Sequence, residues 1–403
     1  MRKSGLLIGI IAGALSITGC AELENQYGFI QSRGGVNGKN GADTSYVDKT
    51  SQGRKKLYAA AIDEKNGDII VFADGQESLR FPYGEEYEVS PETDMHHIID
   101  GSLYSEYISD SETILKRDGK EILRYKGREI IKGIYPSGSN IYTLAQKCDE
   151  EGFSYRRNGK ALMTSDRGQI LGGMYDASYK GNGALYKDAG ALCFCYFKSV
   201  NSENSRSGMA EWHLVKDCKD YLLTLDEASS EIFDLRLVNG IVCYVSTDNY
   251  SYEPVLHIGG QAYDFTVSKQ TPGRDYRLCS SSGGISFTGS YTSKKGKSVT
   301  YCQSLGGVEY EMEGSGYIIY DDGEEYAWVQ YLPQQITIHS PTCAKTVLSG
   351  SYEYLSCWDG DFSEGELRVA VSPCDRNKKP FIWDEGAKQE YDFKGKFASI
   401  GYY

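Results

Sequence analysis

The residues able to do chemistry are few and scattered. Of the 11 cysteines, Cys20 stands alone near the N-terminus and the rest run from Cys148 to Cys374 with no Cys-x-x-Cys among them, which argues against a structural zinc site. Cys193 and Cys195 would share one face of a strand, poor geometry for bonding each other. Strand-like contexts such as Leu192-Cys193-Phe194-Cys195 and Val242-Cys243-Tyr244 predict mostly buried thiols that act as small apolar side chains, with one or two disulfides. Of the five histidines, His96 and His97 would face opposite sides of a strand and cannot share a metal, while His213, His257 and His339 fall singly in strand-like segments and read as structural. The sequence has no Gly-x-Ser-x-Gly, His-Glu-x-x-His or phosphate-loop pattern. The 56 carboxylates could supply a glycosidase-like pair, but their abundance singles out none, so no catalytic residue is assigned and the expectation is a non-enzyme.

Two loops carry the remaining candidates. Asp359, Asp361 and Ser363 alternate oxygen ligands in Asp359-Gly360-Asp361-Phe362-Ser363-Glu364, an arrangement suited to a structural calcium that would stiffen the loop; a polar turn is the alternative. No other cofactor is expected. The chain holds 33 tyrosines, a residue that packs well on half-buried sheets and also forms contact surfaces when exposed. Tyr104, Tyr142 and Tyr186 sit at recurring positions and read as structural. Tyr250, Tyr252 and Trp358 sit in apparent loops and are the candidate ligand-binding residues.

The elements that must position these groups emerge from an internal repeat. Thr113 to Lys120 matches Phe153 to Lys160, and Ile130 to Tyr135 matches Ile170 to Tyr175, each at an offset of 40. Every unit parses as four short strands with a tight turn at its centre, because Asp-Gly and Asn-Gly supply the positive φ that a two-residue hairpin needs at both central positions. Such turns fall at Asp74-Gly75, Asp118-Gly119, Asn158-Gly159, Gly259-Gly260, Gly306-Gly307 and Glu385-Gly386, with weaker ones at Lys216-Asp217 and Pro341-Thr342. Units of about 44 residues with four strands each predict an all-β fold, a β-propeller of four-stranded antiparallel blades, with eight blades favoured over seven. Phe397 to Tyr403 aligns with a fourth strand, which predicts closure without exchange between the chain ends. Tandem sandwiches are the rival architecture.

The N-terminus supplies an address. Arg2 and Lys3 precede an apolar run from Leu6 to Ile17, too short at about twelve residues for a membrane-spanning helix, which needs about twenty. Ile17-Thr18-Gly19-Cys20 resembles the lipobox of bacterial lipoproteins, which implies cleavage before Cys20 and lipid on its sulfur. Ala21 and Glu22 imply, by the same resemblance, the outer membrane of the cell envelope, and Glu22 with Glu24 a surface-export signal. The expected organisation is a signal peptide over 1–19, a lipidated cysteine and tether over 20–55, and the propeller over 56–403. Glycine-rich and polar, the tether would hold the body roughly 30 Å from the lipid. The repeat units resemble the propeller lipoproteins of gut bacteria, a likeness of fold alone. A net charge of −13 with no basic run disfavours nucleic acid as a partner. The expectation is an envelope-anchored binding or scaffold propeller for a glycan or protein; a carbohydrate-active enzyme and a structural subunit of an envelope assembly are the alternatives.

Overall fold

A computed structural model describes residues 56–402, apart from 84–95, 172–183, 200–209, 249–252, 265–270, 321–325, 359–366 and shorter stretches. Residues 1–55 lie outside it, and so do Cys20, the tether, Tyr250, Tyr252, Asp359, Asp361 and Ser363. The described chain is all-β. Its strands form eight separate antiparallel sheets, six of four strands and two in which the inner strand comes as two short pieces. These are the blades of an eight-bladed propeller.

The second blade shows the plan: inner strand His96–Ile99, then Ser102–Ile108, Glu112–Arg117 and the outer strand Lys120–Lys126. Burial falls outward. All seven residues of Ser102–Ile108 are buried, whereas most of Lys120–Lys126 is not. A strand flanked by two neighbouring blades buries both faces, and an outer strand meets water on one. Outer strands are edges as well, and they carry charge. Arg80 reaches Glu77 and Asp68, and at the same place one unit on, Arg124 reaches Glu121 and Glu112. Such charges blunt edge-to-edge pairing.

Four of the predicted hairpin turns, at Asp74-Gly75, Asp118-Gly119, Asn158-Gly159 and Gly259-Gly260, are present between third and outer strands, while those at Gly306-Gly307, Pro341-Thr342 and Glu385-Gly386 fall at least partly outside the described residues. Asp74 and Gly75 have φ of 46° and 78°, Asp118 and Gly119 50° and 78°, Asn158 and Gly159 49° and 78°. The first turn residue also clamps the second strand. Its carboxyl or amide oxygen accepts the N–H of Leu57, Leu103 or Ile141 at 2.7–2.9 Å, and its own N–H donates to the same residue's carbonyl. In the fourth blade the turn is Asp217-Cys218 (φ 47° and 64°), one residue later than expected, and Asp217 clamps Leu192 in the same way.

The sequence repeat is out of phase with the blades by one strand. Ile141 to Ala145 belongs to a second strand, Asn140–Lys147, and Ile170 to the inner strand of the next blade. The same shift corrects the closure. Gly395–Tyr402 is the inner strand of the first blade and pairs with Leu57–Asp63, so the two ends of the described chain close the ring together. A repeat has no origin of its own, and closure by mixed ends replaces a weak junction with a full strand ladder.

Between blades the core is aliphatic and aromatic. Phe153, Tyr155, Phe194 and Tyr196 fill the seam of the third and fourth, and Tyr276, Phe287, Tyr291 and Tyr301 that of the fifth and sixth. Gly289 lies between the Tyr276 and Tyr301 rings, where a Cβ would come within 2.7 Å and 2.9 Å of them. Cys193, Cys195 and Cys243 are buried free thiols, as expected, and burial pushes Cys193 up to about 12. The other side of the disulfide expectation rests partly on cysteines whose side chains are not described.

Candidate functional site

An extra residue in an inner strand begins the site. In the third blade Ile131 pairs with Ala145 and Gly133 with Leu144, which leaves Lys132 bulged. A bulge re-aims whatever it carries. Here the Lys132 carbonyl accepts the Ala184 amide of the fourth blade at 2.9 Å, and the half-buried Lys132 is one of the residues lining a cavity of about 400 Å³ between the two blades.

The cavity is built around one amide. Gln146, near the end of the second strand, donates from Nε2 to the carbonyls of Gly152 at 2.7 Å and Gly168 at 3.1 Å, and its Oε1 accepts the Ile170 amide at 2.9 Å. Strand end, loop and the inner strand of the next blade are thereby fixed to one side chain, and Gln146 has little left for a ligand. Gly152 permits this path, since a Cβ there would meet the Ser165 carbonyl at 2.5 Å. Lys147, Cys148, Glu151 and Gln169 complete the lining, with Ile170 as its aliphatic member.

The electrostatics turn on Glu106, from the second blade. It is 2% exposed, and its Oε1 accepts the Ile131 amide at 2.7 Å. Burial pushes its carboxyl up to about 8, against the Ile131 hydrogen bond and the attraction of Lys132, with Glu129 repelling it further. At neutral pH it is mostly protonated and does not cancel the charge of Lys132. Among the described residues no carboxylate lies within ion-pair distance of that ammonium. Glu129 is spoken for: Arg156 grips it through two nitrogens at 2.5 and 2.9 Å and lies 4.3 Å from the Tyr125 ring centre. Lys147 reaches the exposed Asp166 at 3.7 Å, a pair worth little.

Elsewhere the polar interior serves the frame. His96 bonds Ser105 through Nδ1 at 2.9 Å, and burial, with repulsion from His97, lowers it to about 3. His213 and His257 stack on cross-strand tyrosines, Tyr196 at 4.5 Å and Tyr244 at 3.9 Å, and His339 lies beside Trp328. Asp220 accepts from the Tyr196 hydroxyl at 2.7 Å and lies 3.0 Å from His213 Nδ1. Burial raises Asp220, but those two hydrogen bonds outweigh it and hold the carboxyl below its usual range. An Asp-His pair of this kind can orient a base, yet the buried Nε2 of His213 has no hydrogen-bond partner.

Of the expected binding residues, Tyr250 and Tyr252 lie outside the described residues. Trp358 ends the inner strand Tyr352–Trp358 of the eighth blade, paired with Leu367, rather than lying in a loop. Tyr104 is buried and Tyr142 half-buried on second strands, but Tyr186 is on an inner strand, where its hydroxyl accepts the Leu237 amide at 2.8 Å. Lys132 did carry a signal. In Ile130-Ile131-Lys132-Gly133-Ile134 a lysine and a glycine interrupt an apolar strand, where the matching segment has Gly172-Gly173.

No known protein family matches the chain, and no curated protein does. Solved structures resemble it distantly. Apo AztD from Citrobacter koseri is 9% identical over 86% of this chain and 98% of its own, with a TM-score of 0.46. The dihydro-heme d1 dehydrogenase NirN in complex with DHE is 12% identical over 86% and 74%, at 0.49. The WD40 domain of SCAP from fission yeast is 8% identical over 88% of each chain, at 0.36.

Proposed function

We propose that this protein is a lipid-anchored binding propeller of the cell envelope, held by Cys20 and meeting a glycan or protein partner through the cavity between its third and fourth blades. One observation carries the reading. Glu106, Glu129, Gln146 and Asp220 are committed to partners within the frame, inside a blade or between two, whereas Lys132, Glu151 and Gln169 line a solvent-facing cavity on that frame. Rigid elements that present a few polar groups are what recognition requires. The lipid and the tether rest on the N-terminal sequence. Labelling growing cells with a palmitate analogue tests the anchor: label should enter the native chain, and its persistence in Cys20→Ala would overturn the anchor. Glycan arrays and pull-downs test recognition. Multiple turnover of a polysaccharide by the purified chain would overturn the non-catalytic reading.

A further inference from the structure

We propose that the cavity between the third and fourth blades binds a small sugar acid, whose carboxylate sits on Lys132 and whose hydroxyls bond Gln169 and Glu151. The assignment rests on the binding reading above and names its ligand class. Three observations lead to it. The bulge in the inner strand places the half-buried Lys132 at the cavity, beside the half-buried Lys147, and ties its backbone to the fourth blade through Ala184, so its position is fixed by both blades. That ammonium has no ion-pair partner among the described residues, and the buried carboxyl of Glu106, pushed up to about 8 by burial, is mostly protonated at neutral pH and does not neutralise it. A cation in a partly desolvated cavity gains most from an anion, and a carboxylate is the anion that one ammonium can satisfy with a charge-assisted hydrogen bond.

The lining decides for a sugar. Glu151 and Gln169 are exposed and offer hydrogen-bond acceptors and donors at the rim, with Ile170 the aliphatic contact. A hydroxyl-rich ring meets such a rim bond for bond, whereas an apolar ligand would leave it unpaired. The volume of about 400 Å³ suits one or two sugar rings.

Isothermal titration of the full chain in detergent, with digalacturonate as probe, tests this. Binding is expected at one site, weakened about tenfold or more by Lys132→Met and by methyl esterification of the probe, and largely kept by Lys132→Arg. Thermal midpoints verify folding. Should Lys132→Met unfold, Lys132→Gln, which keeps a polar side chain and removes the charge, gives the same reading. Equal affinity of digalacturonate for the native chain and the folded Lys132→Met overturns the assignment. Binding of cellobiose that ignores Lys132 overturns it too but leaves the binding reading standing, and preference for trialanine over digalacturonate overturns the sugar in favour of a peptide terminus. Silence of all three probes, together with silent glycan arrays and pull-downs, defeats both readings.

Discussion

In the seam between the second and third blades, Glu106 receives the Ile131 amide; in the seam between the fifth and sixth, Asp234 receives the Leu278 amide at 3.0 Å. Both carboxyls are buried, and each fills the same need. An inner-strand N–H that faces the preceding blade has no strand partner, and an unmet buried N–H is costly. Other seams meet it with neutral oxygen: Ser399 accepts from Ile98, Ser372 from Phe397 and Tyr186 from Leu237. The two acids differ in their company. Asp234 has Arg236 two residues along the strand, with Nε 3.1 and 3.2 Å from its oxygens, whereas among the described residues no cation is in ion-pair contact with Glu106, which burial keeps mostly protonated at neutral pH. The joint therefore needs an acceptor and not a charge, and a charge is tolerated only beside its counterion.

The most direct way to break the comparison is to strip Asp234 of its partner. Arg236→Met should destabilise the chain by about 3–5 kcal/mol at neutral pH, because it leaves a buried carboxylate alone. The double variant Asp234→Asn with Arg236→Met should recover much of that. Urea unfolding midpoints measure both, and a single-variant cost below about 1 kcal/mol would mean that Arg236 is no counterion in the sense argued.

Glu106 sharpens the other side through pH. Its folded value of about 8 stands above the ordinary 4.5, so the folded state binds the extra proton and stability falls as pH rises from 4.5 to 8. His96 works in the opposite sense. Its folded value of about 3 stands below 6.5, so its contribution is complete above 6.5 and lost as pH falls toward 3. The pair predicts a plateau between pH 4.5 and 6.5 with a decline on each side. Glu106→Gln keeps the acceptor for Ile131 and should remove the alkaline decline, a gain of roughly 2–4 kcal/mol at pH 8. His96→Asn should flatten the acid side. An alkaline slope unchanged in Glu106→Gln would show that Glu106 is already ionised in the fold.

Why these groups escaped the sequence reading is a matter of geometry. Tight turns were legible because positive φ at two successive positions selects Asp, Asn and Gly, and a period of such turns counts blades. Cys218 escaped because cysteine gives no such hint. Strand phase escaped because repeats show spacing without saying which strand is innermost. Glu106 is harder still. In Ser102 to Ile108 a polar residue suggests an outward face, but a second strand has no outward face, so the alternation that marks a half-exposed strand is silent there. Lys132 was visible as an interruption in an aligned repeat, although only the bulge shows that it faces a cavity.

The aromatic half of the comparison has its own weak point. The seam that houses Asp234 relies on Tyr276 and Tyr301 closing over Gly289, where a methyl group would touch both rings. Gly289→Ala should cost about 1–3 kcal/mol through overpacking, and Tyr276→Leu added to it should return part of that. Additive costs in that cycle would mean that ring contact is not the cause.

The smallest effect concerns the clamp that both halves share. Asp118 accepts the Leu103 amide, but the fifth blade has Gly259 at that place and keeps only the backbone bond from Gly259 to Val242, at 3.0 Å. Asp118→Gly converts one form into the other without disturbing the turn, since glycine takes positive φ freely. The loss should be that of one partly exposed hydrogen bond, about 0.5–1.5 kcal/mol. The reverse change, Gly259→Asn, supplies the missing acceptor in a conformation that asparagine tolerates, and should stabilise by no more than the same amount. If Gly259→Asn destabilises while Asp118→Gly does not, the clamp follows from the turn and contributes nothing of its own, and the two halves of the propeller differ only in their seams.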